Sequence, residues 1–172
     1  MSDLVKIAKT EISNSNKLCV IAGLNVLEDD QLTFEVAERL KKITEAQENS
    51  FIFKASFDKA NRSSVDSYRG PGLEKGLEIF TELKKRDYKL ITDIHEISQV
   101  EQISEVVDII QIPAFLCRQT DLIKEACQSG KPLNIKKGQF LSPDQMKNII
   151  EKCFNFGNDQ VMLCERGTSF GY

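Results

Sequence analysis

The sequence is poor in glycine and proline, with nine and four among its 172 residues. This scarcity argues against collagen-like, linker-like and low-complexity chains, which are rich in one or both. The sequence also lacks an excess of charge of one sign, because 23 basic and 26 acidic residues leave a net charge of −3. Binding to a long stretch of nucleic acid needs a basic face, so we expect no nucleic-acid partner.

Histidine and paired cysteines are scarce as well. One histidine and five widely spaced cysteines without a C-x-x-C pair fit neither a disulfide framework nor a zinc site. No run approaches the roughly 18 apolar residues of a membrane span, and charges interrupt any signal-peptide core near the start. We therefore expect a protein of the reducing cytoplasm with no membrane partner.

From residue 19 onward, short β-branched runs alternate with longer, charged stretches of helical periodicity. The predicted strands are 19–26, 51–57, 89–94, 109–114, 133–137 and 160–164. The predicted helices are 31–48, 72–86, 98–106, 119–129 and 142–156. Ser98, Thr120 and the Ser142-Pro143 pair are typical helix-start signals.

Strands that are apolar on both faces and joined by helical crossovers predict a parallel sheet, either a (β/α)8 barrel or a doubly wound sheet. Weak alternation over residues 4–12, interrupted at Lys9-Thr10, predicts a hairpin that closes the barrel floor. A complete barrel has eight strands and typically about 250 residues. We therefore expect one domain over residues 1–172, an incomplete TIM barrel of about six of the eight β-α units, and thus a fragment of a longer chain.

Polar side chains follow nearly every predicted strand, at the edge where α/β folds place their sites. Period-two alternation puts Lys54 and Ser56 on one face, and likewise Asp93 and His95. Buried cations require partners, so the basic residues predict an anionic ligand with phosphate and carboxylate groups. No nucleotide-binding glycine loop is present, which favours small phosphorylated metabolites. The cations are Lys54, Lys59, Arg62, Lys136 and Arg166.

Several longer motifs carry a family resemblance. They read FKASFDKANRSS at 53–64, SYRGPG at 67–72, TDIHE at 92–96, QIPAFL at 111–116, RQTDL at 118–122, NIKK at 134–137, LCERG at 163–167 and FGY at 170–172. Together they closely resemble the signature of the 3-deoxy-D-manno-octulosonate 8-phosphate synthase family, over residues 19–172.

The resemblance implies a cytoplasmic, generally tetrameric (β/α)8 barrel that joins phosphoenolpyruvate to D-arabinose 5-phosphate and releases phosphate, in the synthesis of a lipopolysaccharide sugar. It assigns phosphoenolpyruvate to one set of residues and the pentose phosphate to another. The first set is Lys54, Ser56, Lys59, Gln111, Lys136 and Arg166. In the second set, Asn61 and Arg62 hold the phosphate, often from a neighbouring subunit, and Asp93, His95 and Phe115 lie along the pentose. The residues expected to be catalytic are Asn25, Lys136, Asp93 and His95.

The family has a metal-dependent branch, in which a cysteine ends the first strand of the barrel. Here Asn25 stands at that place and lacks the thiolate that such a metal prefers. Cys19 is no substitute, because it begins the strand. The resemblance therefore implies an enzyme without a metal or another cofactor, in which Asn25 binds substrate or water.

Three alternatives stay open. A Schiff-base aldolase would use Lys54 or Lys136 as a desolvated nucleophile. The related heptulosonate phosphate synthases share the chemistry but take a four-carbon aldehyde, and the Asn61-Arg62-Ser63-Ser64 run fits them less well. The chain is otherwise an inactive remnant that only binds ligand.

Overall fold

The computed structural model of the protein describes residues 4–170. A hairpin of two short strands comes first, followed by six parallel strands and five α-helices in alternation. The strands are β1 (Val5–Ile7), β2 (Thr10–Ile12), β3 (Cys19–Gly23), β4 (Ser50–Lys54), β5 (Leu90–Asp93), β6 (Ile109–Ile112), β7 (Leu133–Lys136) and β8 (Val161–Cys164). The α-helices are α1 (Asp30–Ala46), α2 (Leu73–Lys85), α3 (Val100–Val106), α4 (Thr120–Gln128) and α5 (Met146–Asn155).

The six parallel strands stand in the sheet in the order in which they occur along the chain, from β3 at one edge to β8 at the other. A doubly wound sheet would instead reverse its strand order at a switch point. The sheet curls into part of a barrel, which confirms the expected incomplete TIM-type fold. The single domain over residues 1–172 stays a prediction. Its first three and last two residues, including the Gly171-Tyr172 end of the family motif, lie outside the described residues.

Two buried clusters pack on opposite faces of the sheet. The larger joins the helices to the outer face and includes Phe53, Phe80, Ile110 and Ile135. The smaller lies inside the barrel, where Val5 and Ile7 of the hairpin cover Ile52, Ile91 and Ile109. Ile91 and Ile109 lie in the first half of their strands and Ile52 in the middle of its strand, all of them before the carboxyl ends, so the hairpin closes the floor of the barrel as predicted.

The predicted element boundaries need correction. Five of the six parallel strands end one to three residues earlier than predicted. Val26 and Phe57 lie beyond the ends of β3 and β4, yet both are buried. Apolar character therefore continues into loops that pack on the core, and it does not mark where strand pairing stops. The hairpin turn falls at Ala8-Lys9, one residue before the predicted break.

Ser98 is wrong as a helix start. Glu96 is the capping residue, and it exchanges hydrogen bonds with Gln99 in a capping box. Ser98 lies within the 3₁₀ turn Ile97–Gln99, and α3 follows that turn. Ser142-Pro143 likewise opens a 3₁₀ turn, so α5 begins only at Met146.

Thr120 does begin α4, as predicted. No helix within residues 4–170 combines the length and the apolar character needed to cross a membrane.

Candidate active site

A cleft of about 610 Å³ opens where the carboxyl ends of the parallel strands meet. Nine of the twelve predicted site residues line it. They are Lys59, Asn61, Arg62, Asp93, His95, Gln111, Phe115, Lys136 and Arg166. The structure thus brings together side chains from the ends of β5, β6 and β7 and from the loops after β4, β5, β6 and β8, as expected for the carboxyl ends of parallel strands.

Asp93 is the central hydrogen-bond acceptor of the cleft. It ends β5 and is only 6% exposed. Its Oδ1 accepts a hydrogen bond from the Ser56 hydroxyl, and its Oδ2 lies 3.3 Å from His95 Nε2. Burial alone would raise the pKa of Asp93, but the hydrogen bond from His95, the charge of Lys54 and the hydrogen bond from Ser56 outweigh burial. The pKa of Asp93 therefore lies well below its usual range, and the carboxylate is ionised.

Two lysines, Lys54 and Lys59, interact with the charge of Asp93. Lys54 is the last residue of β4, and burial lowers its pKa to about 8. The charge of Asp93 opposes this shift, and the like charges of Lys59 and Lys136 add to it. Burial also lowers the pKa of Lys59, whose ammonium donates to the Ser56 hydroxyl at 2.8 Å. A single carboxylate does not neutralise these crowded cations, so the cleft favours an added anion.

Ser56, Asp93 and His95 have the residue types of a hydrolytic triad but not its arrangement. In such a triad the histidine lies between the serine and the carboxylate and takes the serine proton. Here the carboxylate lies in the middle, and it accepts from both neighbours. Its lowered pKa makes Asp93 a weak base, so Ser56 is not activated as a nucleophile.

Ser56 and Lys54 lie next to the cleft lining, and Ser56 is fully buried beneath it. Asn61 and Arg62 stand on the exposed loop after β4, where Arg62 Nε donates to the Tyr68 carbonyl at 3.1 Å. Phe115 is 62% exposed in a 3₁₀ turn after β6. Lys54, Lys136 and Asp93 are the last residues of their strands and are therefore fixed by the sheet, whereas Asn61, Arg62 and Phe115 are held by loops.

Asn25, like Lys54 and Ser56, is a predicted residue that the structure does not place in the cleft lining. It lies on an exposed bend just after β3, at the same end of the sheet. Its catalytic role and the absence of a metal remain predictions. Within residues 4–170, no three histidine, cysteine, aspartate or glutamate side chains form a group that could hold a metal ion.

Asn134 was not among the predicted site residues, and it supports the cleft residue Gln111 without lining the cleft itself. Its amide donates to Gln111 Oε1 at 3.3 Å, and both side chains are buried between β6 and β7. The signal was available, because Asn134 stands two residues before Lys136 on the same strand and period-two alternation puts both on one face.

Gln139 and Glu96, which were not among the predicted site residues, also line the cleft. Lys137 is not among the lining residues, and its ammonium bonds to backbone carbonyls instead.

Comparison with known proteins places the chain among longer relatives. A family model described as the DAHP synthetase I family matches residues 4–172. The 2-dehydro-3-deoxyphosphooctonate aldolase of Bdellovibrio bacteriovorus is 54% identical over 170 residues, which is 98% of this chain and 59% of that protein. The protein of the same name from Pasteurella multocida is 54% identical over 98% of this chain and 60% of its own length.

A third relative of that name, from Haemophilus influenzae, is 52% identical over 98% of this chain and 60% of its own length. The chain thus spans about 60% of the length of the curated relatives that it matches.

Proposed function

The chain belongs to the DAHP synthetase I family, and on that premise we propose that its cleft binds phosphoenolpyruvate and D-arabinose 5-phosphate. The whole protein is then a 3-deoxy-D-manno-octulosonate 8-phosphate synthase. The names of the relatives support this choice within the family. The observation that carries the proposal is the crowding of Lys54, Lys59 and Lys136 around one buried carboxylate.

The distance of each cation from the sheet suggests where in the cleft each of the two substrates binds. Lys54 and Lys136 end their strands, and the ammonium of Lys59 is held on the Ser56 hydroxyl. These three cations suit the carboxylate and phosphate of phosphoenolpyruvate, with Ser56, Gln111 and Arg166 completing that set. Asn61 and Arg62 stand on the exposed loop and suit the phosphate at the far end of the longer pentose. His95 Nδ1 is a buried nitrogen without a hydrogen-bond partner within the described residues. A pentose hydroxyl, which both donates and accepts, would supply that partner.

In the proposed reaction, C3 of phosphoenolpyruvate attacks the aldehyde carbon of the pentose, and the aldehyde oxygen takes up a proton to become a hydroxyl. Water adds at C2, and the C2–O bond to phosphate then breaks, so the bridging oxygen leaves with the phosphate and C2 becomes a ketone. Fixed cations stabilise the charge that moves between the carboxylate, C2 and phosphate. Holding both substrates in one cleft supplies the positioning. We assign Lys136 to the first task, and Asp93 and His95, which lie along the pentose, to the second.

We further propose that the whole protein is a cytoplasmic homotetramer that needs no metal, with Asn25 binding substrate or water. The family resemblance supports the tetramer, and the exposed loop with Asn61 and Arg62 lies at the rim of the cleft, where a neighbouring subunit can pack. Asn25 in place of a cysteine supports independence from a metal.

One observation favours a second candidate, a Schiff-base aldolase. A lysine with a pKa of about 8, such as Lys54, holds a larger neutral fraction at pH 7 than an ordinary lysine, and a neutral amine is the nucleophile of such enzymes. Sodium borohydride in the presence of substrate would trap that intermediate as a stable mass increase. We expect no mass increase, and a substrate-dependent adduct on Lys54 or Lys136 would establish the second candidate instead.

Titration calorimetry with phosphoenolpyruvate tests the proposed ligand on the chain of 172 residues. We expect saturable binding that Lys136→Met weakens by at least about tenfold, a loss in the range for removing a hydrogen bond to a charged group. Lys147→Met is the matched control, because Lys147 is an exposed lysine on α5 with its own carboxylate partner. Equal affinity in all three proteins would contradict the proposal.

A further inference from the structure

Lys136 and Lys137 are adjacent in sequence but differ in their surroundings. Lys136 ends β7 and lines the cleft, while the side chain of Lys137 is only 2% exposed. The Lys137 ammonium donates to the carbonyl of Gly167 at 2.7 Å and to that of Leu141 at 3.2 Å. It thus ties the loop after β7 to the loop after β8.

Glu165 links this ammonium to Arg166. Its Oε1 lies 3.3 Å from Lys137 Nζ. The same oxygen accepts the backbone N–H groups of Arg166 and Gly167, each at 2.8 Å. Arg166 is therefore held on both sides, by Glu165 at its own N–H and by Lys137 at the carbonyl of the next residue.

Burying the Lys137 ammonium between two loops costs desolvation free energy, which an apolar side chain of the same size would not lose. What the ammonium adds is a fixed geometry for several acceptors at once. Both loops that it joins carry cleft residues, Gln139 on one and Arg166 on the other. The backbone N–H of Ser169 also donates to the Gln139 carbonyl at 2.7 Å, which draws the two loops together next to the cleft.

We infer that Lys137 is a positioning residue that holds Arg166 at the cleft by fixing the backbone on both sides of it. The inference rests on the proposed function in that Arg166 is taken to bind phosphoenolpyruvate. Removing the ammonium leaves the chain around Arg166 free to move, and misplacing a binding group by about 1 Å costs up to about a hundredfold in rate or affinity.

Two measurements on the 172-residue chain test this inference. The first is hydrogen–deuterium exchange of peptides covering residues 163–170. Lys137→Met should raise amide exchange there by at least about tenfold, since local protection follows local stability, and should leave peptides from α4 unchanged. Lys147→Met, the same change at an exposed lysine, should leave both regions unchanged. Unchanged exchange around Arg166 in folded Lys137→Met would overturn the inference.

The second measurement is a double-mutant cycle read as affinity for phosphoenolpyruvate. Lys137→Met should weaken binding by about tenfold in the wild-type background and by less than about twofold when Arg166→Ala is already present. A merely structural role would weaken binding equally in both backgrounds, and that result would overturn the inference. If Lys137→Met does not fold, Glu165→Ala tests the inference in its place, because the Glu165 side chain is 59% exposed and its removal should leave the fold intact. Glu165→Ala should weaken phosphoenolpyruvate binding in the wild-type background but not when Arg166→Ala is present. Equal losses for Glu165→Ala in both backgrounds would again overturn it.

If the wild-type chain does not bind phosphoenolpyruvate at all, the proposed function fails. The exchange measurement still decides whether Lys137 fixes the backbone around Arg166.

Discussion

His95 Nε2 lies 3.3 Å from Asp93 Oδ2, so the only histidine of the chain is paired with the carboxylate at the end of β5. A carboxylate only accepts hydrogen bonds, and His95 therefore carries a proton on Nε2. The ring also packs edge-on against Phe57, with 5.7 Å between centroids. Both contacts fix the imidazole next to the cleft, and its Nδ1 has no hydrogen-bond partner within residues 4–170.

The first prediction separates the two nitrogens of His95. The amide of glutamine reaches about as far as Nε2, so His95→Gln should keep the hydrogen bond to Asp93 and retain activity within about tenfold. The shorter amide of asparagine does not reach Asp93, so we expect His95→Asn to lose about a hundredfold.

The measurement for His95 is kcat of a completed chain, in which residues 1–172 are followed by the part of the Pasteurella multocida relative that lies beyond the match. Equal kcat for the glutamine and asparagine variants would contradict the role of the Nε2 hydrogen bond.

The second prediction concerns stability and pH. The folded-state pKa of Asp93 is lowered, so the ionised carboxylate stabilises the fold above its unfolded pKa of about 3.9. That contribution is lost as the pH falls through the folded-state pKa. Asp93→Asn leaves buried cations unpaired and should lower the free energy of unfolding at pH 7 by about 3 kcal/mol.

Urea denaturation followed by circular dichroism at pH 7 and at pH 3.5 gives the comparison for Asp93→Asn. The difference in the free energy of unfolding between Asp93→Asn and wild type should be smaller at pH 3.5 than at pH 7. Asp144→Asn, at an exposed ion pair with Lys147, serves as the control and should match wild type. If the loss of unfolding free energy in Asp93→Asn is larger at pH 3.5 than at pH 7, folding does not lower the pKa of Asp93 and the prediction is contradicted.

The third prediction follows from Lys54. Its pKa is about 8 in the free protein, and an anion binds its protonated form better. The affinity for phosphoenolpyruvate should therefore fall as the pH rises above 8, by up to about tenfold per pH unit. Lys54→Met should bind more weakly at pH 7 and should lack the inflection near pH 8. Calorimetric titrations at pH 7, 8 and 9 measure both effects, and an unchanged inflection in Lys54→Met would assign it to another group.

The fourth prediction is that the completed chain needs no metal. Treatment with a strong chelator should leave its activity unchanged, and Asn25→Cys should create partial dependence on a divalent ion, because a thiolate is the better ligand. The readout is phosphate release before and after chelation, with metal added back. Loss of wild-type activity that a divalent ion restores would remove Asn25 from its proposed role.

The fold was predictable because each strand and helix carries its own periodicity, and the order of the strands in the sheet follows the order in the chain. The cleft was predictable because cations and Asp93 stand at strand ends that a parallel sheet must bring together. The strand ends were less predictable, since buried Val26 and Phe57 continue the apolar runs into loops.

The roles of Glu96 and Lys137 depend on contacts that no pattern displays. Glu96 replaces Ser98 as a cap because Gln99 lies within reach of its backbone. Lys137 looks like a second cleft cation in the sequence, yet the end of β7 turns its ammonium toward the carbonyls of two loops. Distinguishing these two lysines requires the path of the loop after β8, which lies 30 residues away in sequence.

The decisive measurement is phosphate release from phosphoenolpyruvate by the completed chain, with the product identified by mass spectrometry. We predict that release requires D-arabinose 5-phosphate, is much slower with the four-carbon erythrose 4-phosphate, gives an eight-carbon sugar acid phosphate and is abolished by Lys136→Met. With bridging-oxygen-labelled phosphoenolpyruvate, the label should appear in the phosphate. Release by a folded completed chain that does not depend on arabinose 5-phosphate, or that survives Lys136→Met at the wild-type rate, would contradict the assignment of the cleft.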